Sequence, residues 1–401
     1  MSTGSIGERV AVYRRRRGLS QAALAGLIGR SESWLSQVER GVRSVDRLSV
    51  VADLSRVLHV DVESLIGRPW QVAPNGGHDV GALDGVRSYF ARYSALTQPD
   101  VPPVDAGALR ASCVEAHRTY QAAEYVSLAE RLPALLEAAD AAWDTRRDGS
   151  VETMLSYVGV YVVAAKLLTK MGVSDLALVS ADRASHGALC ADSLAARGMA
   201  AYQVVCAMLR ADRPDDAESL AVEMATQMSA AARSDEPGAL SVAGSLWLIA
   251  AVVAARKTDR FEAYRRLDQA QRLAELLGQD GNHLWTAFGP TNVAIHRVSV
   301  AAELGDPAEA LSAAADVRPE RFPAGLQSRR AQMHLDLAWA QSQRKRDAEA
   351  VLHLMEAEQV APEAVYYNVL VREMIREMLA RGSKAQTSAL DKLAVRAGVL
   401  T

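Results

Sequence analysis

The chain has 401 residues, 49% of them hydrophobic and 23% charged, a length for two or three domains and a composition that excludes a disordered or fibrous polypeptide. Its formal net charge of −3 speaks against nucleic acid as a partner only until it is divided. Residues 1–47 hold nine arginines against four acids, a net +5, which leaves −8 for the remainder, and phosphate affinity depends on local charge because salt screens beyond about 10 Å.

The apolar positions Ile6, Val10 and Tyr13 predict a first helix over 6–17, stopped by Gly18. Ser20 offers an N-cap to a second helix over 21–28, with Ala22, Leu24, Ala25 and Ile28 toward a core, and Gly29 supplies a sharp turn. Ser31 caps a third helix over 32–40, with Leu35 and Val38 inward and Gly41 at its end. Two short helices joined by a tight glycine turn form a helix-turn-helix unit. Ser44 caps a fourth helix over 45–58 carrying Leu48, Val51, Leu54 and Leu58 on one stripe, and Asp61 caps a last short helix holding Leu65 and Ile66.

This succession, with the runs 14–21 (Arg14, Arg15, Arg16, Arg17, Gly18, Leu19, Ser20, Gln21), Leu24-Ala25, Ile28-Gly29, Ser31 and 35–41, resembles the Cro/C1-type (XRE-family) helix-turn-helix domain. The resemblance covers residues 1–67, about one sixth of the chain. It implies a sequence-specific DNA-binding transcriptional regulator whose third helix enters the major groove and reads bases with Glu32, Ser33, Ser36 and Gln37. Glutamine can bond adenine bidentately, glutamate accepts from the cytosine amino group, and serine serves either sense. The resemblance also directs Gln21 at a backbone phosphate, with Arg14, Arg15, Arg16, Arg17, Arg40 and Arg43 where the DNA backbone passes; such contacts position the module without reading sequence. Glu39 reads as a structural partner of an arginine in the same domain. Trp34 departs from the family pattern, and packing on the domain, contact with a thymine methyl and plain exposure all stay open for it. One module covers half an operator, so a homo-oligomer on a (pseudo)palindromic site is expected.

Residues 68–107 read as a linker with one helix, bounded by the breaks at Pro69 to Gly77 and at Gln98 to Gly107, with Leu83, Val86 and Phe90 inward. From 108 to 401 the periodicity is helical throughout, with no convincing strand pattern. Turns recur at Asp175, Asp216, Asp259, Asp306 and Asp347, spaced 41, 43, 47 and 41 residues, each followed by an alanine-rich amphipathic stretch. A constant period with a turn at fixed phase predicts stacked helical hairpins. The pattern resembles tetratricopeptide repeats, with a longer period and without their tryptophan signature. The expected fold is all-α: a five-helix head followed by a tetratricopeptide-like α-solenoid that mediates oligomerisation or effector binding. This layout is similar to actinobacterial regulators of the XRE family and to peptide-sensing regulators of Gram-positive bacteria.

Within the body, Trp285, Phe288, Asn292 and His296 stand apart from the repeat chemistry. Gly289 and Pro290 predict a helix start that puts Asn292 and His296 on one face below two aromatics, either a pocket for a peptide or small-molecule effector or simply hairpin core. A protein docking platform that makes the chain a partner-controlled repressor is the alternative. No nucleophile elbow, phosphate-binding glycine loop, zincin helix or paired cysteines occur, so no catalytic residue, cofactor or metal is expected. Cys113, Cys190 and Cys206 read as small buried hydrophobes. The longest apolar run, 246–255, is too short to span a bilayer, and with no apolar signal core at the N-terminus a cytoplasmic location is expected.

Overall fold

The computed structural model describes residues 6–16, 19–43, 45, 48–58, 65, 80–92, 105–144, 150–211, 213–233, 235–318, 325–381 and 388–400. It divides into two compact units, Met1–Ala73 and Pro74–Thr401. Among the described residues every regular element is helical.

The first unit contains α1 (Ile6–Arg16), α2 (Gln21–Leu27), α3 (Glu32–Glu39) and α4 (Leu48–Leu58). Its core gathers Val10, Leu24, Ala25, Leu35, Val51, Leu54, Leu58 and Leu65. Both expected serine caps form: Ser20 Oγ accepts from the Ala23 N–H at 3.0 Å and Ser31 Oγ from the Trp34 N–H at 3.2 Å. Gly29, at φ +65°, makes the α2–α3 turn in a conformation that side-chain-bearing residues rarely adopt. At Gly7 the backbones of α1 and α3 touch so closely that a Cβ there would lie 1.8 Å from the Val38 carbonyl oxygen. Ala22, expected in the core, is exposed instead. The caps expected at Ser44 and Asp61, and Ile66, lie outside the described residues; Leu65 is buried and its carbonyl accepts from Arg9 Nε at 2.7 Å.

The second unit begins with a 3-10 turn, Val80–Leu83, and α5 (Asp84–Arg92). Sequence assigns this helix to the linker, but Val86, Tyr89 and Phe90 are buried in the body's largest core, so it is an integral part of the body. Helical hairpins follow. The first pairs α6 (Ala106–Gln121) with α7 (Tyr125–Asp144), and the next five are α8 (Val151–Lys170) with α9 (Ser174–Cys190), α10 (Leu194–Arg210) with α11 (Pro214–Ala231), α12 (Pro237–Arg256) with α13 (Arg260–Leu277), α14 (Pro290–Glu303) with α15 (Pro307–Ala314), and α16 (Gln327–Gln343) with α17 (Asp347–Val360). α18 (Pro362–Tyr366), α19 (Val369–Arg381) and α20 (Ser388–Arg396) complete the unit.

The five recurrent aspartates mark the turns inside the last five hairpins. Asp259 and Asp306 are true N-caps, each accepting from a backbone N–H at 3.0 Å. Asp175, Asp216 and Asp347 sit in first helical turns, where the positive end of the helix dipole favours a carboxylate. The α6–α7 hairpin lacks this signal and turns at Ala123 instead, at φ +61°. Alanine faces set the close spacing: Ala177, Ala181, Ala184 and Ala188 of α9 are fully buried, and a Cβ at Gly187 would strike the Tyr157 ring at 2.8 Å.

Two features add to the sequence reading. First, α8 and α12 are each 20 residues and apolar enough to cross a bilayer by length and composition, although the longest purely apolar run in the sequence is 246–255; most of each helix is buried inside the body, which is what core helices require. Second, the solenoid curls back on itself. Residues of α5–α10 share one continuous core with residues of α16–α20, from Ala82 to Ala397. The Val126 N–H at the start of α7 donates to Glu363 Oε2 of α18 at 3.0 Å, across 237 residues of sequence. The hairpins therefore curl until the last meet the first, and the inner helix faces enclose a common space.

Candidate nucleic-acid interface and body cavity

On the head, α3 presents Glu32 and Ser33 exposed and Ser36 and Gln37 half-buried along its outer face, while Leu35 and Val38 anchor the opposite face. Four polar side chains on one side of a short helix leave donors and acceptors available for base edges. Arg40 and Arg43, beyond the helix end, are exposed, as is Arg15 on α1. Arg40 Nε donates to the Ser36 carbonyl at 3.2 Å. The Arg16 side chain and Arg17 lie outside the described residues.

Arg14 and Gln21 are engaged within the domain. Arg14 donates to Glu39 Oε1 and Oε2 at 2.6 and 2.9 Å and to the Leu19 carbonyl at 2.8 Å; Gln21 Nε2 donates to Glu39 Oε2 at 2.7 Å. Burial by itself would raise the Glu39 carboxyl, but the bonds from Arg14 and Gln21 outweigh it and hold the group below its ordinary range. Arg14 is thus a clamp between α1 and the end of α3, with three of its five N–H donors used inside the domain. Trp34 packs on the head core with the Arg30 guanidinium over its ring at 5.7 Å, which resolves its open reading toward packing.

In the body, the four residues singled out by sequence separate. Trp285 lines a half-open cavity of about 210 Å³ between α6, α8, α10, α12, α16 and the loop 284–287. Phe288 does not line it: the ring is fully buried in the core, pressed so close to Gly244 that a Cβ there would meet it at 1.9 Å. Asn292 and His296 are likewise buried away from the cavity on α14, with His296 Nδ1 at 2.9 Å from the Asn292 carbonyl. Burial, assisted by Arg329, drops His296 to about 3 and keeps the imidazole neutral. The four residues form no common pocket, because Pro290 starts a helix whose Asn292 and His296 face points into packed hairpins.

The loop before α14 is anchored through its backbone. Gln121 and Asn282 exchange side-chain hydrogen bonds at 2.9 and 2.8 Å, and Lys166 Nζ donates to the Trp285 carbonyl at 3.0 Å. The Trp285 ring stacks on His117 at 5.0 Å and 4°. Leu284, Trp285 and Ala287 all have φ between +50° and +60°, a concentration of left-handed non-glycine residues that these anchors must sustain.

Sequence reading missed the cations of the cavity wall: Lys166 and Lys170 from α8, Arg210 from α10 and Arg329 from α16. Burial, then Arg329, brings Lys166 down to about 7; burial, then Arg210 and Arg329, brings Lys170 to about 8. The legible signal was two lysines four apart on an otherwise apolar helix. Arg210 and Arg329 carried no such mark.

A helix-turn-helix domain family model matches residues 5–65. The HTH-type transcriptional regulator SinR of Bacillus subtilis is 31% identical over 74 residues, 18% of this chain and 67% of that protein, and its Bacillus licheniformis counterpart matches to the same extent. This chain belongs to the XRE-type helix-turn-helix transcriptional regulators. In this regulator α2, the turn at Gly29 and α3 form the helix-turn-helix unit. Two solved structures align over nearly the whole chain: PlcR of Bacillus thuringiensis in complex with the peptide PapR7 and DNA, at 10% identity and TM-score 0.30, covering 95% of this chain and 99% of PlcR, and ComR of S. thermophilus in complex with DNA and its signalling peptide ComS, at 12% and 0.28, covering 94% and 100%. At those scores the superpositions carry nothing about the regulator's body beyond the helices already described.

Proposed function

We propose that this regulator binds a (pseudo)palindromic operator in the cytoplasm as a homo-oligomer, and that its helical body holds the heads together and senses an effector. Glu32, Ser33, Ser36 and Gln37 read base edges; Arg15, Arg40 and Arg43 take phosphates, with Arg16, Arg17 and Gln21 as further candidates. The observation that carries this reading is the polar outer face of α3, bordered by exposed arginines and backed by a packed core. Residues 1–67 serve as the DNA-binding head and the helices beyond it as the effector and oligomerisation body. A concave cavity of about 210 Å³, lined by aromatic and a few polar side chains, favours a small effector over a docked protein partner.

Selection of the purified chain against random DNA tests the reading. Enrichment of a two-fold symmetric motif that relaxes in Gln37→Ala supports it, and a motif without symmetry removes the oligomer.

A further inference from the structure

Four cationic side chains around one half-open cavity are a costly arrangement. Lys166, Lys170 and Arg329 are half-buried and lose part of their hydration, Arg210 is exposed at the rim, and the like charges oppose one another. Lys166 is depressed by Arg329, Lys170 by both Arg210 and Arg329, and Arg210 by Arg256. Among the described residues none of Lys166, Lys170, Arg210 and Arg329 pairs with a carboxylate. The nearby acids are taken: Asp336 accepts from Ser299 and from Gln332 at 2.9 Å, and Glu303 pairs with Arg256 at 3.0 Å. The one direct anchor of the set to the surrounding backbone is Lys166 on the Trp285 carbonyl.

A purely structural cluster would carry its own counter-charge, as Arg266 does with Glu218 at 2.5 Å elsewhere in the body. We infer that the cavity binds a small organic anion with at least two phosphate or carboxylate groups, held by Lys166, Lys170, Arg210 and Arg329 with its carbon skeleton against Tyr202 and Trp285. The inference rests on the reading of the body as an effector sensor and names the class of effector. Charge-assisted hydrogen bonds to such groups are the strongest polar contacts available, and removal of water strengthens them. At about 210 Å³ the space falls below the roughly 300–1,000 Å³ of drug-sized ligand sites, which suits a metabolite rather than an extended chain. The ligand reaches the loop 284–287 through Lys166 and Trp285, the segment with three strained residues, and neutralising Lys166 redistributes its hold on the Trp285 carbonyl.

Pyrophosphate and citrate, titrated into the full-length regulator at matched ionic strength against chloride, test the inference by melting and by calorimetry. At least one of the two is expected to raise the melting temperature and bind, and which one decides between phosphate and carboxylate. Lys170→Met and Arg329→Gln are each expected to lose at least about tenfold in affinity. A second readout needs no variant. Near pH 8, Lys166, facing Arg329, Cys113 and Cys206, and Lys170, facing Arg210, Arg329 and Asp336, are both partly neutral, so binding is expected to take up protons, visible as a buffer-dependent heat. No binding by either probe overturns the inference, and so does citrate binding without proton uptake, or binding of either probe undiminished in both variants, which places the anion on the basic head. If the anion binds the cavity while operator affinity stays constant, the ligand class stands and the sensing role falls. If only an uncharged compound changes operator affinity, sensing stands and the anion falls.

Discussion

Arg14 and Glu39 tie the first helix of the head to the end of α3 through two hydrogen bonds of 2.6 and 2.9 Å, with only 11% and 5% of their side chains exposed. The pair holds α1 and α3 at a fixed angle. Breaking a largely buried pair from one side leaves an uncompensated charge, and Arg14→Ala is expected to destabilise the head by about 3 kcal/mol. Chemical denaturation of residues 1–73, followed by helical circular dichroism, checks this; a loss within experimental error would mean that the pair does not clamp the two helices.

The same pair gives the head a pH dependence of defined sign. Glu39 titrates below its unfolded value of about 4.5, so its contribution is complete above that value and disappears as the pH falls through the folded one. Glu39→Gln is expected to flatten the acid limb of the head's stability curve while lowering the plateau. An unchanged acid limb would remove Glu39 as its cause.

DNA contacts separate by the kind of loss they produce. Gln37→Ala is expected to relax selectivity at one base position by about 1–3 kcal/mol, whereas Arg43→Ala weakens binding to all sequences and reduces the salt slope by about 1. Binding isotherms on specific and scrambled duplexes over a salt series discriminate the two.

Phe288 is a core residue and not a cavity residue. Phe288→Ala is therefore expected to cost about 3–5 kcal/mol of body stability, and Gly244→Ala, whose Cβ has nowhere to go, also destabilises strongly. If Phe288→Ala instead melts like the wild type, the ring is not packed as described.

Lys166 carries a penalty of the opposite sign to Glu39. A lysine lowered to about 7 from 10.5 disfavours the folded state fully below pH 7, and the penalty fades as the pH climbs toward 10.5. Without an anion, Lys166→Met is expected to melt above the wild type at pH 7, with the difference narrowing by pH 10. A lower melting temperature at pH 7 would mean that the charge is already compensated.

The helix caps, the turn and much of the core of the head were legible because their signals are local, whereas the exposure of Ala22 and the bonds of Arg14 and Gln21 to Glu39 were not. Ser20 and Ser31 cap helices within three residues of themselves, Gly29 turns the chain where it stands, and Leu24, Leu35 and Val38 follow from a 3.6-residue period. The aspartate turns of the body were legible for the same reason, since a cap or a first-turn carboxylate acts on its own helix. Tertiary structure alone decided which inner faces meet. Lys166 and Arg329 are 163 positions apart, and nothing near either announces the other; only the curling of the hairpins, set by many small alanine contacts that each bias the stacking slightly, brings Glu363 to Val126 and closes the wall around four cations. Trp285 was found by its chemistry, but its neighbours Phe288, Asn292 and His296 were lost to the core, because polarity and spacing place a residue on a helix face without stating what packs against that face.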